Sequence, residues 1–510
     1  MILSIKKYFY FFFLLVLIMS CVENFETGEE NANTPPNTTM ANIPVENDTL
    51  FALIELYWDG EDNDGFVVKY QYRYTTFPIG GIIDSISHDW VDIEGTSSTI
   101  AFTSPEDLNR QVFRVRSVDN SGNIDPSPAV KVLYTNKTLF PSTEITGPLD
   151  GSEYFAVTTA NSWFKGIEIA FNGRDRDGEI IEFAWAVNDG EWTWVDADGD
   201  DEASQTILIP PSAFGTEEDL HGDHIVKVFS KDNTYLIDST GASIEIELVV
   251  PTWEKDILIM DDTVEDFSLR EVEDDTVDAF YDRHFEEANP QYIVDNRNLE
   301  TRGWPSLNIM GRYRLIIYHS ENSTLPFYLK DTETGKKSRE RLRNYLSVGG
   351  DIIFSGTRIV ESFWTDEYFD SFGILKVPQV YPAEAGDEYD NFVNKILHIQ
   401  EGHISGTIGT MEGAIGLNGF SDIEVDTSKC QMEYPWSGKP HRIQTVDVKG
   451  GFTREIFKFV GNDPFAGGKT CGLRYYGDVF DLIFLGFPMW QIKEEDAAVL
   501  ARELLTSLGY

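Results

Sequence analysis

The chain has 510 residues, 86 acidic and 40 basic, for a formal net charge of −46. That field repels phosphates and anionic headgroups, which excludes nucleic-acid binding and electrostatic docking on lipid, while 41% hydrophobic and 13% aromatic residues exclude a disordered chain. Three cysteines, at positions 21, 430 and 471, exclude a disulfide-dense scaffold and a multi-cysteine metal module.

Lys6 and Lys7 precede an apolar run from Tyr8 to Met19, followed by Ser20-Cys21 and acidic chain from Glu23. This is the pattern of an export signal, and the run is shorter than the roughly 20 residues of a spanning helix. Leu17-Ile18-Met19-Ser20-Cys21 resembles a bacterial lipobox. The resemblance implies cleavage before Cys21, acylation of its thiol and stable attachment of a lipoprotein to the outer membrane or cell surface. An ordinary signal peptide with an incidental cysteine is the alternative. Residues 22–45 are rich in Asn, Thr, Glu and Pro and read as a flexible tether.

An internal duplication follows. Tyr57 to Tyr74 (YWDGEDNDGFVVKYQYRY) matches Ala170 to Val187 (AFNGRDRDGEIIEFAWAV) at an offset of 113, aligning Asp62-x-Asp64-Gly65 with Asp175-x-Asp177-Gly178. Phe113-x-Val115 and Asp119-Asn120 match Val226-x-Val228 and Asp232-Asn233 at the same offset, while Trp90-Val91-Asp92 matches Trp194-Val195-Asp196 at 104. The compensating length changes predict a longer loop near Ile79 to Ser87 in the first copy and near Asp196 to Ser204 in the second, because loops tolerate length change and core strands do not. A period this long means two whole domains. Period-two stretches bounded by Gly, Asp, Asn and Pro predict strands, and each copy reads as a β-sandwich over 46–140 and 141–251. Phe113 to Ala129 (FRVRSVDNSGNIDPSPA) resembles the closing strands of immunoglobulin-like or fibronectin type III modules of bacterial surface proteins, which implies a spacer or ligand-displaying role.

The Asp-x-Asp-Gly turns invite calcium, since clustered carboxylates repel unless a cation sits between them. The EF-hand pattern fails, with Gly60 at its first position and Gln71 at its twelfth. The preferred expectation is a hairpin turn in which Asp-Gly supplies a positive φ. Asp196, Asp198, Asp200 and Asp201, in the longer loop of the second copy, are the better calcium candidates. Trp192 and Trp194 share a face by alternation, and the reading is a core pair, with stacking on a sugar ring as the alternative.

From 252 to 510 the pattern changes to apolar strands between helices. Strands are predicted at Asp256 to Met260, Gln291 to Val294, Tyr313 to Tyr318, Asp351 to Phe354 and Asp481 to Leu485, and helices at Val277 to Ala288, Lys337 to Val348 and Glu494 to Leu508. The fold class expected is therefore two all-β Ig-like sandwiches followed by an α/β domain with a mostly parallel sheet. The segments DILIMDD, YRLIIYHSEN, LRNYLSVGGDIIFSG and LGFP resemble the class I glutamine amidotransferase-like fold, a flavodoxin-like relative. That family's catalytic cysteine has no counterpart at a strand-to-helix turn here, so the resemblance implies no glutaminase activity. Cys430 and Cys471 sit in strand-like surroundings and form either one disulfide or two buried thiols.

Ligands of open α/β sheets bind outside the carboxyl ends of the strands. That singles out Asp261 and Asp262, then His319, Ser320, Glu321 and Asn322, then Ser355, Thr357 and Arg358. Ser355 as nucleophile, His319 as base and Asp261 or Glu321 as orienting carboxylate would make a serine hydrolase. Ile353 stands where a Gly-x-Ser-x-Gly elbow requires glycine, so spacing gives no support. Asp261, Asp262, His319 and Glu321 are the alternative set for a divalent metal. The expectation is a non-catalytic binding or scaffolding protein, held by its N-terminal lipid and directed at a glycan, a peptide or an envelope protein. An extracytoplasmic hydrolase is the alternative.

Overall fold

The computed structural model describes residues 33–263, 273–321, 326–329, 332–363, 380–382, 392–404, 409–433 and 437–510. Cys21 and the export signal, most of the tether, and Asn322 lie outside them. Among the described residues no helix is long and apolar enough to cross a membrane.

The first sandwich is built from β1 (Asn37–Met40), β2 (Thr49–Leu50), β3 (Leu53–Glu61), β4 (Val67–Pro78), β5 (Ile86–Ser87), β6 (Val91–Ile93), β7 (Ser97–Ala101), β8 (Leu108–Asp119) and β9 (Ala129–Asn136). One sheet has the order β1-β3-β7, the other β2-β9-β8-β4-β5 with β6 on β4. The second comprises β10 (Ser142–Gly147), β11 (Ser152–Phe155), β12 (Ile167–Arg174), β13 (Ile180–Val187), β14 (Thr193–Asp200), β15 (Glu202–Ile209), β16 (Gly222–Asp232) and β17 (Ala242–Val249). Its sheets, β10-β12-β15 and β11-β17-β16-β13-β14, repeat the first arrangement, with the single β14 on β13 where the first has both β5 and β6 on β4. Alternation sets the core: Ile54, Leu56 and Trp58 on β3 and Ile167, Ile169 and Phe171 on β12 are all buried, at the offset read from the sequence. A polar detail repeats as well, Thr38 to Ser117 at 2.8 Å and Thr143 to Ser230 at 2.9 Å, hydroxyl to hydroxyl.

Two expectations need correction here. Residues 37–40, placed in the tether, pair antiparallel with β3 and form its edge partner. The Asp-x-Asp-Gly segments are not hairpins: β3 pairs with β1 and β7 while β4 pairs with β8, so the turn carries the chain from one sheet to the other. Neither Gly65 nor Gly178 has a positive φ. Glycine is required by proximity instead, because a Cβ on Gly178 would stand 2.5 Å from both Asp175 Oδ2 and Asn233 Oδ1.

The C-terminal region contains β18 (Lys255–Asp261), β19 (Val294–Asn298), β20 (Tyr313–Ser320), β21 (Asp351–Gly356), β22 (Val380–Pro382), β23 (Ile399–Ile404), β24 (Met411–Gly416), β25 (Ile423–Glu424), β26 (Gln444–Val448), β27 (Thr453–Gly461), β28 (Thr470–Tyr476) and β29 (Asp481–Leu485). Its main helices are α1 (Asp274–Ala288), α2 (Glu333–Ser347), α3 (Thr427–Glu433) and α4 (Glu494–Leu508). All twelve strands join one sheet. Its path begins with five parallel strands, β19-β18-β20-β21-β29, and continues antiparallel through β28, β26, β23 and β22, with β27, β24 and β25 branching from β28. The expected mostly parallel sheet is therefore a mixed one. Helical crossovers return the chain among β18, β19, β20 and β21, whereas the chain between β21 and β29 adds the antiparallel strands β22 to β28, of which only the surroundings of Cys471 on β28 read as strand from the sequence.

Alternate residues of the parallel strands serve two cores. Ile257, Ile259, Leu315, Ile317, Ile353 and Ile483 pack with α1 and α4. Leu258, Met260, Ile316, Tyr318, Ile352, Phe354 and Phe484 face the other way, into an apolar cluster that also contains the whole core of the second sandwich. Phe155 meets Tyr345 at 6.1 Å, Trp253 meets Tyr345 at 5.8 Å and Trp163 meets Phe480 at 5.0 Å across that junction. The core of the first sandwich is separate.

Candidate functional site

The carboxyl ends of β18, β20 and β21 bring Asp261, His319 and Ser355 side by side, since His319 is in register with both others. The pleat points all three toward α1. Helix α1 contributes two residues from one of its faces, Asp278 and Tyr281, three positions apart. The Tyr281 ring lies flat on the His319 imidazole, 4.0 Å between centroids and 8° between planes. Its hydroxyl donates to Glu321 Oε1 at 2.5 Å and lies 3.0 Å from Ser355 Oγ. Asp261, His319, Ser355, Tyr281 and Glu321 are all buried.

The geometry does not couple serine to histidine. Ser355 Oγ accepts the Met489 backbone N–H at 3.0 Å and meets Tyr281, while among the described residues neither ring nitrogen of His319 makes a hydrogen bond. His319 instead lies between carboxylates: Nδ1 is 3.5 Å from Asp261 and 3.9 Å from Glu321, and Nε2 is 3.9 Å from Asp278. Donor atoms of Asp261, Asp278 and His319 lie within 4.8 Å of one another, and among the described residues these three form the one group of His, Cys, Asp or Glu placed to hold a divalent cation.

The sheet divides the other predicted residues. Asp262 belongs to the opposite face, where it accepts the Tyr328 backbone N–H at 3.0 Å and the Tyr318 hydroxyl. Ser320 donates to the Asp262 carbonyl at 3.4 Å. Arg358 makes a fork to Glu361 at 2.8 and 2.6 Å, a buried structural pair, and the Thr357 N–H donates to the Ser320 carbonyl at 3.2 Å. One strand-end pocket lined by all of these residues does not form, because consecutive residues of a strand point to opposite faces.

Sequence reasoning missed Asp278 and Tyr281. The available signal was a polar pair at helical spacing beside the buried Val277, Phe280 and Phe285.

Other candidates also move. Asp196, Asp198 and Asp200 lie on β14 rather than in a loop, at alternate exposed positions. Neighbours on that face are about 6.8 Å apart along the strand, too far for one ion to take all three. Cys430 and Cys471 are both buried with no disulfide between them, and Cys430 is on α3 rather than a strand, so the disulfide alternative is corrected. Trp192 and Trp194 are 44% and 43% exposed and are not a core pair. Trp192 packs edge-on against Phe229, and Lys231 lies over Trp194 at 5.2 Å.

No protein-family model matches the chain, and no curated protein is similar to it in sequence. Among solved structures, the fibronectin(III)-like modules of Clostridium thermocellum CbhA are 16% identical, covering 42% of this chain and 95% of theirs, with a TM-score of 0.19. The FN1–FN3 domains of chicken CNTN1 are 17% identical over 42% of this chain and 66% of theirs, at 0.15. The chicken interferon gamma receptor alpha chain is 11% identical over 42% of this chain and 98% of its own, at 0.15. The paired sheets themselves place the two modules in the Ig-like, fibronectin type III-like class of sandwich.

Burial pushes the Asp261 carboxyl up to about 6, against hydrogen bonds from Thr263 and Asn298, and pulls His319 down to about 4, against the charge of Asp278. The signs differ. Asp261 favours its neutral form in the fold, so its contribution is present below pH 3.8 and lost as pH rises to about 6. His319 contributes above pH 6.5 and loses that contribution as pH falls toward 4. Asp261→Asn removes the first effect, on the order of 3 kcal/mol, and leaves the second. Urea titrations at pH 4.5 and 7 should show stability rising with pH more steeply in the variant than in the parent. An unchanged pH dependence contradicts the assignment.

Proposed function

We propose that this chain is a lipid-anchored cell-envelope protein that binds or scaffolds a partner and carries out no reaction. The observation that carries the non-catalytic reading is the engagement of Ser355 Oγ by the Met489 N–H and Tyr281 rather than by His319. A nucleophile needs its base within hydrogen-bond reach and a path to substrate; Ser355 is 1% exposed. The two sandwiches suit a display role, since modules of this architecture present loops and strand faces from a rigid body.

The anchor rests on the lipobox-like LIMSC ending at Cys21. The C-terminal domain reads as a degenerate relative of the amidotransferase-like fold. Supporting this is the order of its five parallel strands, second, first, third, fourth and fifth in chain sequence. The partner contemplated is a glycan, a peptide or another envelope protein.

Fractionation of expressing cells, with a serine-reactive fluorophosphonate added to each fraction, tests both halves. The parent protein should stay in the salt-washed membrane pellet and remain unlabelled, and Cys21→Ser should move to the soluble fraction. Membrane retention of Cys21→Ser overturns the anchor. Labelling that disappears in Ser355→Ala overturns the non-catalytic reading.

A further inference from the structure

His319, near the end of β20, has no exposed surface, and among the described residues neither of its ring nitrogens has a hydrogen-bond partner. No other histidine among them leaves both nitrogens in that state. His224, 3% exposed, shows the usual solution: its Nδ1 lies 3.1 Å from the Asn188 carboxamide and its Nε2 3.1 Å from the Leu220 carbonyl. An imidazole needs a partner at each nitrogen, and a buried polar atom without one costs stability.

Carboxylates surround the ring without bonding to it. Asp261 stands 3.5 Å from Nδ1 and Asp278 stands 3.9 Å from Nε2, beyond the roughly 2.7–3.2 Å of a hydrogen bond. Asp261 is fixed there by other groups, its Oδ1 accepting the Thr263 backbone N–H at 2.8 Å and its Oδ2 the Asn298 carboxamide at 3.0 Å. Asp278 Oδ1 is buried with no hydrogen-bond partner among the described residues. The gap has a chemical meaning, because two ligand atoms of one zinc ion, each bound at about 2.0–2.2 Å, stand roughly 3–4 Å apart.

One nitrogen of His319 and one oxygen each of Asp261 and Asp278 lie within 4.8 Å of one another, a span that rotation of the partly exposed Asp278 side chain closes onto a single ion. Two carboxylates this close repel each other in a buried setting, and a cation between them removes the repulsion. The donor set also chooses the ion. Calcium and magnesium take oxygen ligands, whereas zinc accepts imidazole nitrogen and carboxylate oxygen together.

We propose that Asp261, Asp278 and His319 form a structural zinc site that fastens α1 to the carboxyl ends of β18 and β20. One ring nitrogen of His319 ligates the ion. The other faces a carboxylate in either case, which sets the tautomer, and Tyr281 lying flat on the imidazole holds its plane. The side chain of Asp278 is 21% exposed while those of Asp261 and His319 have no exposed surface, so the ion enters past α1 and nothing larger follows it. The ion ties together three segments far apart in sequence, and its role is that of a clamp.

The test is calorimetric titration of zinc chloride into the chelator-treated full chain, with thermal melts and hydrogen exchange in zinc and in EDTA. The parent should take up zinc, melt higher with it than in EDTA, and exchange the amides of α1 more slowly when it is bound. Asp278→Asn, which keeps the shape of the partly exposed ligand, should weaken zinc binding about tenfold or more while melting no lower than the parent in EDTA. Asp261→Asn should weaken binding in the same way, and Asp278→Asn decides the matter if that variant does not fold. No uptake by the parent overturns the proposal. Uptake that Asp278→Asn leaves unchanged places the ion elsewhere and also overturns it, and zinc that binds without slowing exchange in α1 overturns the clamp.

Discussion

The rest of the structure depends on one apolar junction, where the second sandwich and the C-terminal sheet share a core. Phe155 at the end of β11, Trp163 in the following loop and Trp253 after β17 reach into the surface made by Tyr345 on α2 and Phe480 before β29. Aromatic side chains bury about 150–250 Å² each and dominate the energetics of such contacts. Polar bonds fix the register around them: Asn161 to the Ser347 carbonyl at 3.0 Å and Ser162 to Asp478 at 2.6 Å. Two segments that look like independent domains in sequence are therefore one body, while the first sandwich keeps a core of its own and joins through residues 137–141.

This arrangement explains how the C-terminal sheet uses its two faces. One face of the parallel strands is committed to the sandwich and α2, and only the other remains for α1 and α4. Polar residues at the strand ends inherit that division. Asp261, His319 and Ser355 fall under Tyr281 and Asp278 of α1, and Asp262 and Ser320 fall on the sandwich side with Tyr318. His319 is fully buried between carboxylates, and burial favours its neutral form there.

The legible parts of the fold were those with a local period or a fixed repeat. The apolar strands around Ile259, Ile317, Ile353 and Ile483 and α4 over 494–508 follow from local pattern, and the duplication follows from a match at an offset of 113. What stayed hidden depends on partners distant in sequence. Asp62 to Gly65 looks the same whether its flanking strands pair with each other or with different sheets. Asp196, Asp198 and Asp200 look like a loop until their alternation along β14 is seen. At the strand ends the residues singled out from the sequence do not form one group, because neighbours such as Asp261-Asp262 and His319-Ser320 point to opposite faces of the sheet. The contribution of α1 could not be seen until Tyr281 was placed on His319.

The shared core is tested most directly by hydrogen exchange on Phe155→Ala. Phe155 is fully buried, and truncation of such a phenylalanine costs about 3–5 kcal/mol. In the parent, amides of β12, β13 and β16 and those of β20, β21 and β29 should share one opening free energy. In the variant both sets should lose protection, and β3, β4 and β8 of the first sandwich should not change. Loss confined to the second sandwich, with β20, β21 and β29 as protected as before, would contradict a common core.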